Sequence, residues 1–185
     1  MQRYTAVMIM RAFLLSLFVV SLCASSSVLA ESAAGIRWTA PPGWKVEGPR
    51  PMRAATYTIA AAPGTQGSAE CVVNYFGPGQ GGTVDANVER WRTQVLGADG
   101  KPAAASVTMR TVRGVKITVV DASGTYTGMG GPMAGGSKPV SGYRLLGAIA
   151  EGRGGNVFFK LTGPSKTIAA QQTAFDQMLA SIQPE

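Results

Sequence analysis

The apolar run from Ala12 to Leu22 decides how much of this chain is available to fold. Arg3 and Arg11 precede it, and the stretch from Ala24 to Ala30, rich in small residues, follows it. That three-part layout is the pattern of a secretory signal, with Val28 and Ala30 at the two positions a signal peptidase reads. Cleavage is expected after Ala30. A membrane anchor needs about 20 apolar residues to cross the hydrocarbon core, and this run is shorter before serines interrupt it. Lipidation at Cys23 wants a small residue in front of the cysteine, where Leu22 stands. An internal start at Met8 or Met10 would shorten the charged region and leave the processed chain unchanged. The expectation is a cleavable signal over residues 1–30 and a single domain over residues 31–185, exported to the periplasm or secreted, with no membrane span once the signal is gone.

Losing the first 30 of 185 residues removes two of the 17 basic residues and none of the 10 acidic ones, leaving a net charge of +5. These charges are scattered. With no run of Lys or Arg there is no clustered footprint for phosphate backbones, and a nucleic-acid partner is not expected. A modest positive charge still favours encounter with anionic envelope polymers or headgroups. Cys71 is the only cysteine left after processing, so no internal disulfide can form and a hydrophobic core must hold the fold. A chain of this size buries roughly 68 to 70% of its unfolded surface, which suffices. The chain has 0 histidines. That absence removes His-dependent serine or cysteine hydrolases, histidine-ligated zinc and imidazole acid–base chemistry.

Ile36 to Trp44 reads as an aromatic strand entering a turn, with Pro42 and Gly43 at the central positions of a type II turn. Met52 to Ala60 and Cys71 to Phe76 read as strands. After the glycines of 77–82, Thr83 caps a helix whose Val84, Val88, Trp91 and Val95 share one face. Val107 to Val112 and Val115 to Val120 flank Arg113-Gly114 as a tight hairpin, the second strand extending toward Tyr126. Thr127 to Pro139 is a Gly-rich connection, long for a compact domain, and carries Met129 and Met133. Tyr143 to Ala150 and Asn156 to Leu161 form another strand pair. A last helix runs from about Ser165 to Ile182 behind Pro164, with Ile168, Phe175, Leu179 and Ile182 on one stripe. The order predicts one α+β domain: a single antiparallel sheet of about six to seven strands packed by two helices.

Gly77-Pro78-Gly79-Gln80-Gly81-Gly82 satisfies G-x-G-x-x-G between a strand and a helix. A dinucleotide site would need a parallel βαβ unit around it, whereas hairpins follow here. Two simpler readings remain: amides at a helix start that receive an anion, and a tight strand-to-helix crossing that needs glycine conformations. Gly163 to Thr167 echoes the end of a phosphate loop but lacks its upstream glycine, so helix capping by Ser165 or Thr167 explains it better. Met129 and Met133, with Cys71 as a third soft atom, raise Cu(I) as an alternative to flexible packing. Cys71 itself has no basic neighbour and reads as a buried, inert thiol. Asp85 and Glu89 lie one helical turn apart and read as solvated charges near a helix start.

Trp38, Pro42-Gly43-Trp44, Met52-Arg53-x-x-x-Tyr57, Phe76 to Gly82, Asn87-x-x-Arg90-Trp91 and the F-F-K-L-T-G-P stretch from Phe158 to Pro164 resemble a group of exported bacterial proteins of unassigned function. The likeness covers most of the processed chain. The order of strands and helices, with the P-x-G-W opening, is also similar to the PsbP-type α+β fold. What the resemblance implies is a non-catalytic binding or assembly role, with no family active site to carry over. The expectation is therefore a non-enzymatic envelope protein that needs no cofactor. It would bind an unidentified envelope protein or a small ligand through Gly79, Gln80, Gly81, Gly82 and Thr83 together with Met129 and Met133. Alternatives are a cofactor-independent envelope hydrolase using carboxylates, and a Cu(I)-binding protein. These residues set no oligomeric state.

Overall fold

A computed structural model of the chain describes residues 30–128 and 138–185. The elements are β1 (Ala30–Ala33), β2 (Ile36–Thr39), β3 (Lys45–Val46), β4 (Arg53–Ile59), β5 (Ala69–Asn74), α1 (Val84–Thr93) and β6 (Val95–Leu96). They continue with β7 (Ala105–Val112), β8 (Val115–Tyr126), β9 (Val140–Gly152), β10 (Gly155–Pro164), α2 (Ser165–Ala180) and β11 (Gln183–Pro184). Every strand pairing is antiparallel.

The class is α+β, but the expected single sheet of six to seven strands is two sheets. The larger has eight strands in the order β3-β4-β5-β10-β9-β8-β6, with β7 also on β8; the smaller is β1-β2-β11. Local chemistry explains the division. Pro41 and Pro42 follow β2 and have no N–H to give to a ladder, so the Ile36 strand cannot run on into the main sheet. It turns instead: Trp44 N donates to Pro41 O at 3.3 Å, with Gly43 at φ 84° as a type II turn requires. β2 is then paired on one side by β1 and on the other by the residues after α2.

The hairpins follow their turn residues. Arg113 and Gly114 both have positive φ (45° and 84°), the two-residue geometry that matches strand twist. Tyr126 pairs with Val140 at the end of the long β8–β9 ladder.

Side chains alternate across the main sheet. On one face Cys71, Val73, Leu146, Ala148, Val157, Phe159 and Leu161 meet the apolar stripe of α2, Ile168, Phe175, Met178 and Leu179, all buried. The small sheet covers the rest of that face: Trp38 sits edge-on to Phe159, ring centroids 5.1 Å apart. Burying each of these large side chains contributes about 1.5–3 kcal/mol, so α2 and the small sheet are held mainly by this layer. Trp38 Nε1 donates to the Tyr57 hydroxyl at 2.9 Å, and that hydroxyl donates to the Glu31 carboxylate. Burial and the neighbouring carboxylate push the Tyr57 hydroxyl pKa far up.

On the opposite face α1 lies over β8 and β9. Trp91, with Val84 and Val88, packs against Val120, Ala122, Leu145, Ile149 and Phe158. The Trp91 ring rests directly on Gly147, where any Cβ would collide with it. The α2 helix ends at Ala180, a little before the expected Ile182, which is nonetheless buried in the core. Among the described residues no helix is long and apolar enough to cross a membrane.

Candidate functional site

A helix of ten residues is too short to cover an eight-stranded sheet, and among the described residues no helix lies over the β10-β5-β4 half of that face. β10 places Phe158, Lys160 and Thr162 on that face by its two-residue alternation, and Phe158 is the last under the α1 cluster. Lys160 and Thr162 therefore emerge on the uncovered half. Glu70, Val72 and Asn74 of β5, Arg53 of β4 and Tyr126 of β8 join them around a cavity of about 230 Å³, which Gly128 also borders.

Lys160 is the unusual residue here. Its Nζ donates to the Tyr126 hydroxyl at 3.3 Å and stands 6.0 Å from that ring's centroid. Among the described residues no carboxylate pairs with it. Glu70, which lines the same cavity, is bound to Arg53 at 2.7 Å. Burial pushes the Lys160 ammonium pKa down to about 8, the positive charges of Arg90 and Arg53 adding to that and Glu70 opposing it. Burial, with Glu70 nearby, raises the Tyr126 hydroxyl.

Beside this cavity lies a larger one of about 590 Å³. Met52, Tyr75 and Phe76 give it apolar walls; Gln80, Gly81, Gly82 and Arg90 complete it. Asn74 links the two, lining the smaller cavity while its Nδ2 donates to Met52 O at 2.9 Å. Phe76 packs on Phe158 at 5.7 Å, and Gly81 passes so close that a Cβ there would lie 2.8 Å from both rings. With φ at +85°, Gly81 is glycine for two independent reasons. Buried Asn87 then fixes the crossing: its Nδ2 donates to the carbonyls of Gly81 and Thr83, 2.8 Å each, and its Oδ1 accepts from Arg90.

Of the residues singled out in the sequence, Gln80, Gly81 and Gly82 line the larger cavity, and Gly79 is exposed at the loop tip. Thr83 caps α1, accepting from Ala86 N at 3.2 Å. The crossing is antiparallel on both sides, so the loop is the tight strand-to-helix passage and sits in no βαβ unit. Met129 and Met133 lie outside the described residues. Cys71 faces the α2 side of the sheet, fully buried, away from the side that Gly128 borders. Burial pushes its thiol far up, as expected for an inert buried cysteine. Neither Ser165 nor Thr167 caps α2. Pro164 occupies the N-cap without a side-chain bond, and buried Thr167 instead accepts from Ala62 N at 3.2 Å.

Two smaller cavities each hold a carboxylate pair, Glu31 with Glu47 and Asp121 with Asp176. All four are committed. Tyr57 donates to Glu31 and Thr58 to Glu47; Arg144 grips Asp121 at 2.8 and 2.7 Å, and Arg110 holds Asp176 at 3.2 Å. Glu89 pairs with Arg92 at 3.3 Å on the exposed side of α1. No group of three His, Cys, Asp or Glu that could hold a metal occurs among the described residues.

Sequence reasoning passed over Lys160, Arg90, Arg53 and Tyr126. The available signal was the F-F-K-L-T segment, where a lysine interrupts an apolar strand at a position whose two-residue neighbour, Phe158, is core.

An eight-stranded antiparallel sheet with a helix on each face and a small second sheet beside it defines an α+β fold, and the comparisons agree at that level. The chain is similar to cyanobacterial PsbP (CyanoP) of Synechocystis, with a TM-score of 0.51 and 15% identity over 85% of this chain and 92% of that one. A protein of unknown function from Pseudomonas aeruginosa aligns at TM-score 0.48 and 12% identity, over 85% and 97%. No protein-family model matches the sequence, and no curated protein does. The PsbP-like element order read from the sequence is thus present in three dimensions, and at this identity the likeness is one of fold.

Proposed function

We propose that this is an exported, non-enzymatic protein of the cell envelope, processed after Ala30, that binds a small ligand in the groove beside α1. The observation that carries the reading is the cavity of about 590 Å³, walled by Met52, Tyr75 and Phe76 and edged by Gln80 to Gly82 and Arg90. An open, mainly apolar groove of that size with a few polar groups at its edge has room for a small molecule. Its rim is rigid, since Asn87 ties the glycine crossing to α1. Processing after Ala30 would remove the first residue of β1 and keep the Glu31 carboxylate that receives the Tyr57 hydroxyl.

The test uses protein purified from cells expressing the whole chain, with the uncharged fluorophore 1-aminoanthracene as probe. Saturable one-to-one binding to the native protein is expected, lost in Gln80→Trp, which fills the cavity mouth while leaving circular dichroism unchanged. A folded wild-type protein that does not bind the probe refutes the site. Sequencing the N-terminus of the protein released by osmotic shock should give Glu31 first; an uncut chain retained in the cytoplasm contradicts export.

A further inference from the structure

We infer that the groove is built for a small organic acid, its anionic group on Lys160 and its apolar body against Phe76 and Met52. This deepens the binding reading above and rests on it. Charge bookkeeping across the open face gives the first reason. Arg53 is matched by Glu70 at 2.7 Å, but among the described residues Lys160 meets only the neutral Tyr126 hydroxyl and Arg90 only the amide oxygen of Asn87. Two cations with neutral partners therefore line neighbouring cavities, close enough for the Arg90 charge to act on Lys160. Lys160, Arg90, Arg53, Glu70 and Tyr126, from β10, α1, β4, β5 and β8, together with Tyr75 just after β5, are the charged and titratable lining of the two cavities. Glu70 is spoken for, and the sequence from residue 129 to 137 contains no Asp or Glu.

The second reason is the spacing of charge and apolar wall. Phe158 and Lys160 are successive residues on one face of β10, about 7 Å apart along the strand. Phe158 carries Phe76, which walls the larger cavity. A ligand with a head on Lys160 and a body of six to eight carbons, at about 1.3 Å each, would span that interval and fill the aromatic end. A buried ammonium left without an anion costs free energy, which a carboxylate entering the groove returns as a charge-assisted hydrogen bond. Burial loosens the proton on Lys160, so a bound anion should tighten it and binding should weaken above about pH 8.

The experiment is calorimetric titration of the whole-chain product with octanoate, octanol and octyltrimethylammonium, which share a tail and differ in head charge. Octanoate is expected to bind at least about tenfold more tightly than the cation, with the preference shrinking as pH rises toward 10. Lys160→Met should abolish the preference and keep octanol binding, while Lys160→Arg keeps the preference; Arg90→Gln should reduce it in a protein with Lys160 intact. Equal affinity for all three probes overturns the anion assignment and leaves the groove as a binding site. A full preference retained in Lys160→Met overturns the role of Lys160. Failure of all three to bind, with 1-aminoanthracene also excluded, overturns the groove reading itself.

Discussion

Replacing Lys160 by methionine should make the protein more stable at neutral pH, and the gain should vanish in base. On folding, the lysine pKa falls from 10.5 to about 8 because burial disfavours the charged form. At about 1.4 kcal/mol for each tenfold change in proton affinity, the folded state is penalised by about 3 kcal/mol below pH 8. The sign follows from linkage: between about pH 8 and 10.5 the unfolded chain holds the proton more tightly than the native one, so wild-type stability rises with pH there. Methionine keeps an apolar stem of similar reach and carries no charge, so Lys160→Met escapes the penalty. Urea unfolding followed by tryptophan fluorescence at pH 7, 8, 9 and about 10.5 would read it. A gain of about 1–3 kcal/mol at pH 7 that declines toward zero at the highest pH is expected. A variant that is less stable at pH 7, or whose difference from wild type does not change with pH, would refute the reasoning that Lys160 is a buried and unmatched cation.

Gly147→Ala places a methyl group in the Trp91 ring and should lift α1 from the sheet, costing about 1–3 kcal/mol and shifting tryptophan emission; an unchanged spectrum would contradict the close contact. Gly81→Ala combines a left-handed backbone with a clash against Phe76 and Phe158, so about 1–3 kcal/mol of stability and most probe binding in the groove should be lost. The Cys71 thiol, buried and pushed up in pKa, should resist 5,5′-dithiobis(2-nitrobenzoate) at pH 8 until urea unfolds the chain; rapid labelling of native protein would show it is exposed.

The elements with a strong local period were readable. Val84, Val88 and Trp91 announce α1, although Val95, expected on the same helical face, begins β6 instead; Arg113-Gly114 announces its hairpin, and the runs around β8 and β10 announce central strands. The small sheet was hidden for a physical reason: β1 and β11 are short, carry little strand propensity, and form because β2 offers two free edges beside a buried Trp38. The site was half legible. Gln80 to Gly82 drew attention as a glycine cluster, although glycine there serves the crossing and only incidentally edges a cavity. Lys160 was visible as a charge in an apolar strand, but whether such a residue meets solvent, a partner or a void depends on where α1 ends, which tertiary packing decides. The pairing of Asn87 with Gly81 and Arg90 likewise becomes meaningful only once the crossing is folded.

The groove and its lysine are tested most directly together by titrating octanoate into isotopically labelled protein and following backbone amides and the Lys160 side chain by NMR. The structure predicts shift changes confined to residues 74–76, 80–82, Arg90 and Lys160, with the Lys160 pKa rising from about 8 as the acid saturates. Changes centred instead on α2 and the Asp121–Asp176 cavity, or a Lys160 pKa unmoved by bound octanoate, would contradict it.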